Sequence, residues 1–599
     1  MRTRIRNTRY KMQALIIGLA LVALNYGIFV ARVGPMLDDW NHLGLTVSGS
    51  LRLINANDRP LSHTLEVLTY LIFGHNFAGY LLIQIIVVMA SAILFYALLS
   101  QILPRERILN LVIAILFFIS PLVSNHLWLA AIAYPQALLL LFIAFWLDVK
   151  WGKGDLPAWM TLTGAGLFYL LSLLSNESHA ALIVAIPFLL FYVVDNNKSI
   201  LWRLKRGLIG LLPFVFSGVL WLTYRLYLVD FFGFDNPKGA NIQIPEWNKF
   251  LLESIWPMVG ILMTTFWVLP AKIWMGVQSN APLIISMATL SGIGLALAFW
   301  AVQAQEKGQI KPDSHSGQIF SKIPFGIVLT VAGLSLVFLG YFPLLFANHA
   351  AYELPLSDGS RTSYAMTPGW AITVAGTGWW LSHRMGYWKN PQRLFLIFSV
   401  VVVSVCSAFV VSSSLDYVER WEIQRRVLHN LRELAPGFAD DTYVLLTGEP
   451  GVLRSLATSV PILQPFEKRG NGVYVFGSSW EVRGILHVLY QNQTLAGDVL
   501  KREFVKEGED NGRFEANGYV PAQIEVDTPS IVPYERLLVV QYDRQGCVRL
   551  VLDGMQIREG TIPVGALKAS PSRIILSNGK VSLADQILGT FLEQPCRFQ

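Results

Sequence analysis

Uncharged apolar runs recur along residues 1–415 of the chain and then stop. A helix that crosses a bilayer needs about 20 apolar residues, and these runs reach that length. Two longer stretches, Ile108–Leu147 and Leu156–Val194, each have room for two such helices joined by a tight turn. The pattern predicts a polytopic α-helical membrane protein with about 11 transmembrane helices. The predicted spans are Met12–Ala31, Phe77–Leu103, two in Ile108–Leu147, two in Leu156–Val194, Gly207–Val229, Ala281–Val302, Ile323–Phe346, Ser363–Ser382 and Leu394–Leu415.

Residues 416–599 have a different pattern, with ordinary charge density and short β-rich runs between Gly and Pro turns. Asp416–Leu434 is predicted to be an amphipathic helix that leaves the membrane. We therefore expect a transmembrane domain over residues 1–415, followed by a soluble α/β domain. The predicted strands of that domain are Tyr443–Thr447, Val473–Phe476, Leu537–Tyr542 and Val548–Leu552.

Composition excludes a chain made only of soluble domains. Hydrophobic residues make up 53% of the sequence, charged residues only 15%, and the mean hydropathy is +0.46; soluble proteins carry about 25% charged residues. The net charge of +7 does not indicate a nucleic-acid partner, because membrane proteins concentrate Lys and Arg in their cytoplasmic loops. Membrane lipids are the expected surroundings.

The distribution of basic residues predicts the orientation. With a cytoplasmic N-terminus, the cytoplasmic segments hold 19 Lys and Arg, and the longer external loops hold 7. The soluble domain is then extracytoplasmic, and the expected location is a bacterial plasma (inner) membrane. The scheme requires that Phe250–Trp274, which contains Pro257 and Pro270, lies on the outer membrane surface as a helix and does not span. A disulfide between Cys547 and Cys596 is chemically possible in that compartment.

The first external loop contains adjacent carboxylates, Asp38 and Asp39, a few residues after the first span. Such a pair suits proton abstraction or the binding of a divalent cation. The alternatives are a solvated loop or a cap on the helix that follows. Trp40 and His42, directly after the pair, are candidates for acceptor binding.

Other candidates lie at the same predicted membrane face. Glu177 is the only ionised residue in the stretch Leu156–Val194, and acids at membrane depth are usually functional, although a turn position also lets it reach water. His179 follows it as a candidate substrate ligand. Positively charged groups for a phosphate are present there too, with lipid headgroup contact or snorkelling as the alternatives. The candidate phosphate-binding residues are Arg59, Arg225, Arg361 and Tyr364.

The order of these motifs resembles the GT-C superfamily of glycosyltransferases that use polyprenyl-phosphate sugars. The nearest patterns are the protein O-mannosyltransferase-like enzymes and the transmembrane mannosyltransferases with TPR repeats. The similar segments are the Asp pair, RPLSHTLEVLTYLIFGHNFAGYLLIQIIVVMASAILFYALL and LLSLLSNESHAALIVAIPFLL, so the resemblance covers residues 12–200 and the loop Arg361–Tyr364. The TPR repeats are absent, and Asn176 occupies the place of a Lys in the family's Lys-Glu pair.

The resemblance implies a function and roles. Asp38 or Asp39 would deprotonate an acceptor hydroxyl, which then displaces polyprenyl phosphate from the sugar, and Glu177 would match the family's acid. The partners would be a polyprenyl-phosphate sugar donor and an acceptor protein, lipid or glycan. A cofactor is not implied beyond a divalent cation at the Asp pair. A polymerase or ligase with lipid-linked donors remains open.

Two further classes compete with this interpretation. A transporter or flippase of lipid-linked or polar substrates needs polar groups in mid-span or repeated halves, and the predicted spans are nearly free of charge. A membrane anchor for the soluble domain needs only one span.

Overall fold

The structure is a computed structural model, and it is mainly helical. It describes residues 18, 20, 22–36, 38–47, 59–123, 126–194, 199–228, 247–306, 324–346, 363–384, 390–448, 475–476, 479–500, 513–515, 517–521, 530–543, 545–551, 556–557, 560–561, 567, 570–575 and 587–588. The helices are α1 (Asp38–Val47), α2 (Thr64–Phe73), α3 (Phe77–Ile102), α4 (Arg107–Phe118), α5 (Ala133–Lys153), α6 (Ala158–Ser175), α7 (Ile186–Val193), α8 (Ile200–Thr223), α9 (Trp247–Glu306), α10 (Phe325–Phe346), α11 (Thr367–Arg384), α12 (Pro391–Leu434) and α13 (Ser479–Tyr490).

Within the described residues, seven helices are long and apolar enough to cross a membrane. Each overlaps one of the predicted spans, because a long apolar run favours a helix that satisfies its own backbone hydrogen bonds; the candidate Val268–Trp300 also includes the end of Phe250–Trp274. The seven candidates are Phe77–Ile102, Leu129–Lys153, Ala158–Ser175, Ile200–Tyr227, Val268–Trp300, Phe325–Pro343 and Pro391–Leu434. The length and apolarity of these helices indicate that the chain is a helical membrane protein.

For the other four predicted spans, the described residues contain no helix of that length and apolarity. Met12–Ala31 lies only partly in the described residues. Helix α4 has 12 residues, and Glu177–Val193 combines a 3-10 helix, Glu177–Ala185, with the short helix α7. Helix α11 has 18 residues and a polar end. The total of 11 spans therefore stays a prediction.

Phe250–Trp274 is continuous with the span that follows it. Both belong to α9, which bends at Asn280, where the backbone leaves the helical region (φ −157°, ψ 71°). Lys272 near the end of the segment forms a buried ion pair with Asp416 of α12. The placement of Phe250–Trp274 on the outer membrane surface stays a prediction.

Helix α12 connects the membrane region to the C-terminal domain without a break. It has 44 residues and is therefore about 66 Å long, roughly twice the thickness of the bilayer core. The predicted span Leu394–Leu415 and the predicted amphipathic helix Asp416–Leu434 are two parts of this one element. The predicted domain boundary at residue 415 lies inside this continuous helix.

The C-terminal domain contains a four-stranded sheet in the order β3-β2-β6-β7. Strands β2 and β3 are parallel and are connected through α13, and β2 also pairs in parallel with β6. The middle of β2, Val444–Leu446, is fully buried, as expected for a strand covered on both faces. The strands are β1 (Gly437–Phe438), β2 (Tyr443–Gly448), β3 (Ala496–Leu500), β4 (Arg513–Glu515), β5 (Gly518–Val520), β6 (Leu537–Tyr542), β7 (Val548–Leu550), β8 (Gln556–Ile557), β9 (Gly560–Thr561) and β10 (Ile574–Ile575).

Three of the four predicted strands match β2, β6 and β7. The fourth, Val473–Phe476, is wrong in its described part, because Val475 and Phe476 form a bend that packs into the core. Cys547 is disulfide-bonded; Cys596, the partner considered possible from the sequence, lies outside the described residues. Cys406 is a free, buried thiol in α12.

Helix α13 of the C-terminal domain packs closely against α1. A Cβ atom added to Gly484 would lie 2.7 Å from the backbone nitrogen of Asn41 and from the carbonyl carbon of Trp40. Only a residue without a side chain permits this approach. The C-terminal domain and the aspartate pair therefore lie at the same end of the molecule.

Candidate active site

The two carboxylates at the start of α1 have different surroundings. Asp39 is completely buried, and each oxygen accepts a backbone hydrogen bond, Oδ2 from the Met36 N–H (3.1 Å) and Oδ1 from the Ala130 N–H (2.8 Å). Burial raises the pKa of Asp39 well above its usual range, and these donors offset only part of that effect. Asp38 is half-buried. Asp39 therefore anchors α1 to the turn at Ala130, whereas Asp38 retains access to solvent.

This arrangement bears on the cation predicted at the aspartate pair. Metal ligation by Asp39 would compete with the two backbone N–H groups that its oxygens already accept. Leaving buried N–H groups without acceptors costs about 1–3 kcal/mol each. Asp39 is thus a poor ligand for a cation, and a cation at Asp38 stays a prediction.

Trp40, a candidate for acceptor binding, is completely buried where α1 meets α12. Its Nε1–H donates to Gln424 Oε1 at 3.4 Å, and its ring centroid lies 6.3 Å from that of Trp421. The Gln424 Nε2–H donates in turn to Glu481 of α13 (2.9 Å). Trp40 therefore helps to hold the C-terminal domain, and a contact with an acceptor stays a prediction.

His42 lies one helical turn after Asp38 and contacts a buried acid on α2. Its Nδ1 is 2.9 Å from Glu66 Oε1, while His63 Nδ1 is 2.9 Å from Glu66 Oε2. Burial favours a neutral imidazole, but the Glu66 carboxylate outweighs burial, and Asp38 and Asp39 act in the same direction, so the pKa of His42 rises to about 9. A positively charged imidazole therefore stands beside Asp38 at neutral pH.

Glu177 forms ion pairs with two of the candidate phosphate-binding residues. Arg59 donates from Nε to Oε2 (2.8 Å) and from Nη2 to Oε1 (2.6 Å), and Arg225 Nη1 lies 3.0 Å from Oε1. Burial disfavours the charged carboxylate, but the two guanidinium groups outweigh burial and hold the pKa of Glu177 below its usual range. The three side chains carry two positive charges and one negative charge.

Polar atoms without partners lie next to this ion-pair cluster. His179 and Asn176 are buried, and His179 Nδ1 contacts Ser178 Oγ at 3.1 Å. His179 Nε2 and Asn176 Nδ2 have no hydrogen-bond partner among the described residues. Unpaired buried polar atoms are rare in proteins and are often completed by a ligand or water.

Tyr364 and Arg361 are the remaining predicted phosphate ligands. Tyr364 is buried, and its hydroxyl lies 2.7 Å from His126 Nδ1, so it belongs to the packing between α11 and the turn before α5. Its contact with phosphate stays a prediction. Arg361 lies outside the described residues.

A short segment, residues 59–66, joins the ion-pair cluster to the histidine cluster. Arg59 begins it, and Glu66 ends it. The Leu61 N–H donates to the Leu174 carbonyl (3.1 Å), and Gln136 Nε2 donates to both the Leu61 carbonyl (3.0 Å) and Ser175 Oγ (3.0 Å). These bonds fix the segment against the end of α6, so both clusters are held by one rigid connection.

His63 and Glu66 were not identified from the sequence. Their spacing, His-x-x-Glu on an apolar helix, places both side chains on one helical face, and a search for such pairs near the Asp motif would have found them. His42 was identified, but for acceptor binding. The structure gives it Glu66 as a partner, which the sequence pattern alone did not show.

No family model, no curated protein and no solved structure matches the chain. The chemistry of the site is therefore inferred from its own residues. They provide a half-buried carboxylate beside a charged imidazole, and two guanidinium groups around a second half-buried acid.

Proposed function

We propose that the chain is a membrane glycosyltransferase of the GT-C type, which transfers a sugar from a polyprenyl-phosphate donor to an acceptor hydroxyl. The observation that carries the proposal is the segment 59–66, which joins Arg59, an ion-pair partner of Glu177, to Glu66, the partner of His42 one helical turn after Asp38. A transferase of this kind needs both features, a base for the acceptor and cations for the leaving phosphate.

The ion-pair cluster suits the phosphate of the donor. Arg59 and Arg225 bring two guanidinium groups to one carboxylate, and arginine recognises phosphate through several hydrogen bonds at once. Asn176 Nδ2 and His179 Nε2 add two buried polar atoms without partners among the described residues. Phosphate oxygens would accept hydrogen bonds from Asn176 Nδ2–H, and from His179 Nε2 in the tautomer that carries hydrogen there.

The position of Arg225 suits a lipid-linked donor. It lies in the single-turn π-helix Tyr224–Leu228, which continues α8 at the end of the candidate span Ile200–Tyr227. Such turns are frequent at functional sites. A polyprenyl chain in the bilayer would present its phosphate at that depth.

Asp38 is the base in this proposal. It takes the proton of the acceptor hydroxyl, whose oxygen forms a bond to the anomeric carbon of the sugar. The bond between that carbon and the phosphate oxygen breaks, and polyprenyl phosphate leaves with the electron pair. Arg59 and Arg225 stabilise the negative charge that develops on the departing phosphate. Asp39 keeps α1 in place.

The test uses the purified full chain in detergent with a panel of polyprenyl-phosphate sugars, and it follows loss of the lipid-linked donor. We expect consumption of at least one donor by the wild type, and a roughly 10²–10⁴-fold lower rate for Asp38→Asn. Arg225→Ala should weaken donor binding by roughly 10- to 150-fold, the equivalent of 1.5–3 kcal/mol for a charge-assisted hydrogen bond. A chain that consumes none of the donors, or variants with unchanged rate and affinity, would contradict the proposal.

A further inference from the structure

We propose that His42, His63 and Glu66 form a binding site for a divalent transition-metal cation of the zinc class. The cluster brings together three side chains from two elements, α1 and the start of α2. One ligand atom of each residue lies within 4.8 Å of the others. The inference does not depend on the proposed glycosyl transfer, because its test measures metal binding directly.

The geometry is close to that of a three-residue metal site. Each histidine directs its Nδ1 to a different oxygen of the same carboxylate, at 2.9 Å in both cases. Zinc binds histidine nitrogen and carboxylate oxygen at about 2.0–2.2 Å, so a cation would enter between the imidazoles and the carboxylate after small side-chain rotations. His42 would release a proton to solvent as the cation takes its place, because only a neutral imidazole can bind a metal. The ring centroids of the histidines are 4.7 Å apart, and both rings already face Glu66.

The donor atoms decide which cations fit. Two imidazole nitrogens favour zinc, cobalt, nickel or copper over calcium and magnesium, which prefer oxygen ligands. Three protein ligands also leave one position of a tetrahedral ion for water or another small ligand. Asp38 lies one helical turn before His42 on α1, so a bound ion would stand near the candidate base.

The surroundings hold the ligands in position. The Glu66 side chain is only 3% exposed, and those of His42 and His63 are 16% and 18% exposed. A buried carboxylate that contacts two imidazoles on separate elements restricts all three side chains, which reduces the ordering needed for metal binding. The small exposure of the histidines provides a path for the ion.

The experiment uses the full chain, purified in detergent with a tag that contains no histidine and treated with a chelator that is then removed. We titrate it with Zn²⁺ and measure bound zinc by elemental analysis and affinity by calorimetry. The expected result is one tightly bound zinc per chain. His63→Ala and Glu66→Gln should weaken binding by more than the roughly 10- to 100-fold that loss of an outer-shell partner causes.

The matched control is His383→Ala, which removes an exposed histidine whose Nδ1 contacts the Trp379 carbonyl of its own helix. It should bind zinc like the wild type. Absence of zinc uptake by the wild type, or equal uptake by the cluster variants and the control, would overturn the proposal.

A second measurement keeps the proposal testable if a variant does not fold. The wild type is loaded with Co²⁺, whose visible absorption reports its coordination, and X-ray absorption of the zinc form reports its ligands. We expect a nitrogen and oxygen shell at about 2.0–2.2 Å with the scattering pattern of two imidazoles. A shell without imidazole would contradict the assignment.

Discussion

Arg59 and Glu177 are 118 residues apart in the chain, yet the guanidinium of Arg59 forms two hydrogen bonds with the Glu177 carboxylate, at 2.8 and 2.6 Å. Arg225 joins the same carboxylate from the end of α8, at 3.0 Å. One half-buried acid thus ties together the segment before α2, the turn after α6 and the end of a candidate span. This relationship makes Glu177 both a structural anchor and the counter-charge of the candidate phosphate site.

Removal of the negative charge at Glu177 should destabilise the protein. Glu177→Gln leaves two largely buried guanidinium groups without a carboxylate, and the breaking of a buried ion pair costs about 3–5 kcal/mol. Because the Glu177 side chain is 19% exposed, we expect a loss somewhat below that range. Thermal unfolding of the detergent-solubilised chain measures it, and an unchanged midpoint would show that the cluster contributes no net stability.

The same ion pairs should make stability depend on pH. The pKa of Glu177 is held below its ordinary value of 4.5, so the unfolded chain binds a proton at a higher pH than the folded chain. The stabilisation is therefore complete above about pH 4.5 and is lost as the pH falls, by at most about 1.4 kcal/mol per pH unit.

The measurement is the unfolding midpoint of the wild type and of Glu177→Gln between pH 6.5 and pH 3.5. The wild type should lose stability more steeply, so that the difference between the two narrows in acid. If the difference between the two midpoints stayed constant over this range, the pKa of Glu177 would be the same in the folded and the unfolded chain, and the prediction would be wrong.

The two aspartates should respond differently to the same substitution. Asp38→Asn should fold normally and lose transfer by roughly 10²–10⁴-fold, because an amide cannot take the acceptor's proton. Asp39→Asn places an NH₂ group against one of two backbone N–H donors, so it should lower stability by about 1–3 kcal/mol. Rate assays and thermal unfolding on both variants separate these effects. Normal turnover by Asp38→Asn would end the claim that it is the base.

The close packing of α13 on α1 should make Gly484 sensitive to a single methyl group. Gly484→Ala forces two backbones apart, at a cost of roughly 1–3 kcal/mol that exceeds the gain in helix propensity of about 1 kcal/mol. Gly218→Ala, also in a helix but with no atom within 4 Å of the added Cβ, is the control and should be neutral or slightly stabilising. Equal unfolding midpoints for the two variants would contradict the observed contact between α1 and α13.

The predicted orientation can be tested with introduced cysteines. Residues 383–393 run from the last residues of α11 to the first residues of α12. Gln545, which is exposed, lies in the domain at the other end of α12. A cysteine at residue 388 should resist a membrane-impermeant reagent added to intact cells, whereas Gln545→Cys should react once the outer envelope is permeable. If the cysteine at residue 388 were labelled and the one at residue 545 were not, the orientation would be the reverse of the predicted one.

The sequence by itself determined the elements whose cause is local. Long uncharged runs form helices because a bilayer offers the backbone no other hydrogen-bond partners, and seven predicted spans appear as such helices. The strands β2, β6 and β7 follow from short β-branched runs. The apolar run Leu156–Val194 is interrupted at the turn before Glu177. After that turn the chain forms a 3-10 helix and then α7, which is shorter than a span.

The partners of the charged groups were decided only by the tertiary structure. The sequence identified Glu177, Arg59 and Arg225 as separate candidates at one membrane face, but their joining depends on how α8 and the segment 59–66 pack against the end of α6. The contact of His42 with Glu66 likewise joins α1 to α2. An ion pair between distant residues has no local signal, because its energy comes from the burial and the distance that the packed helices impose.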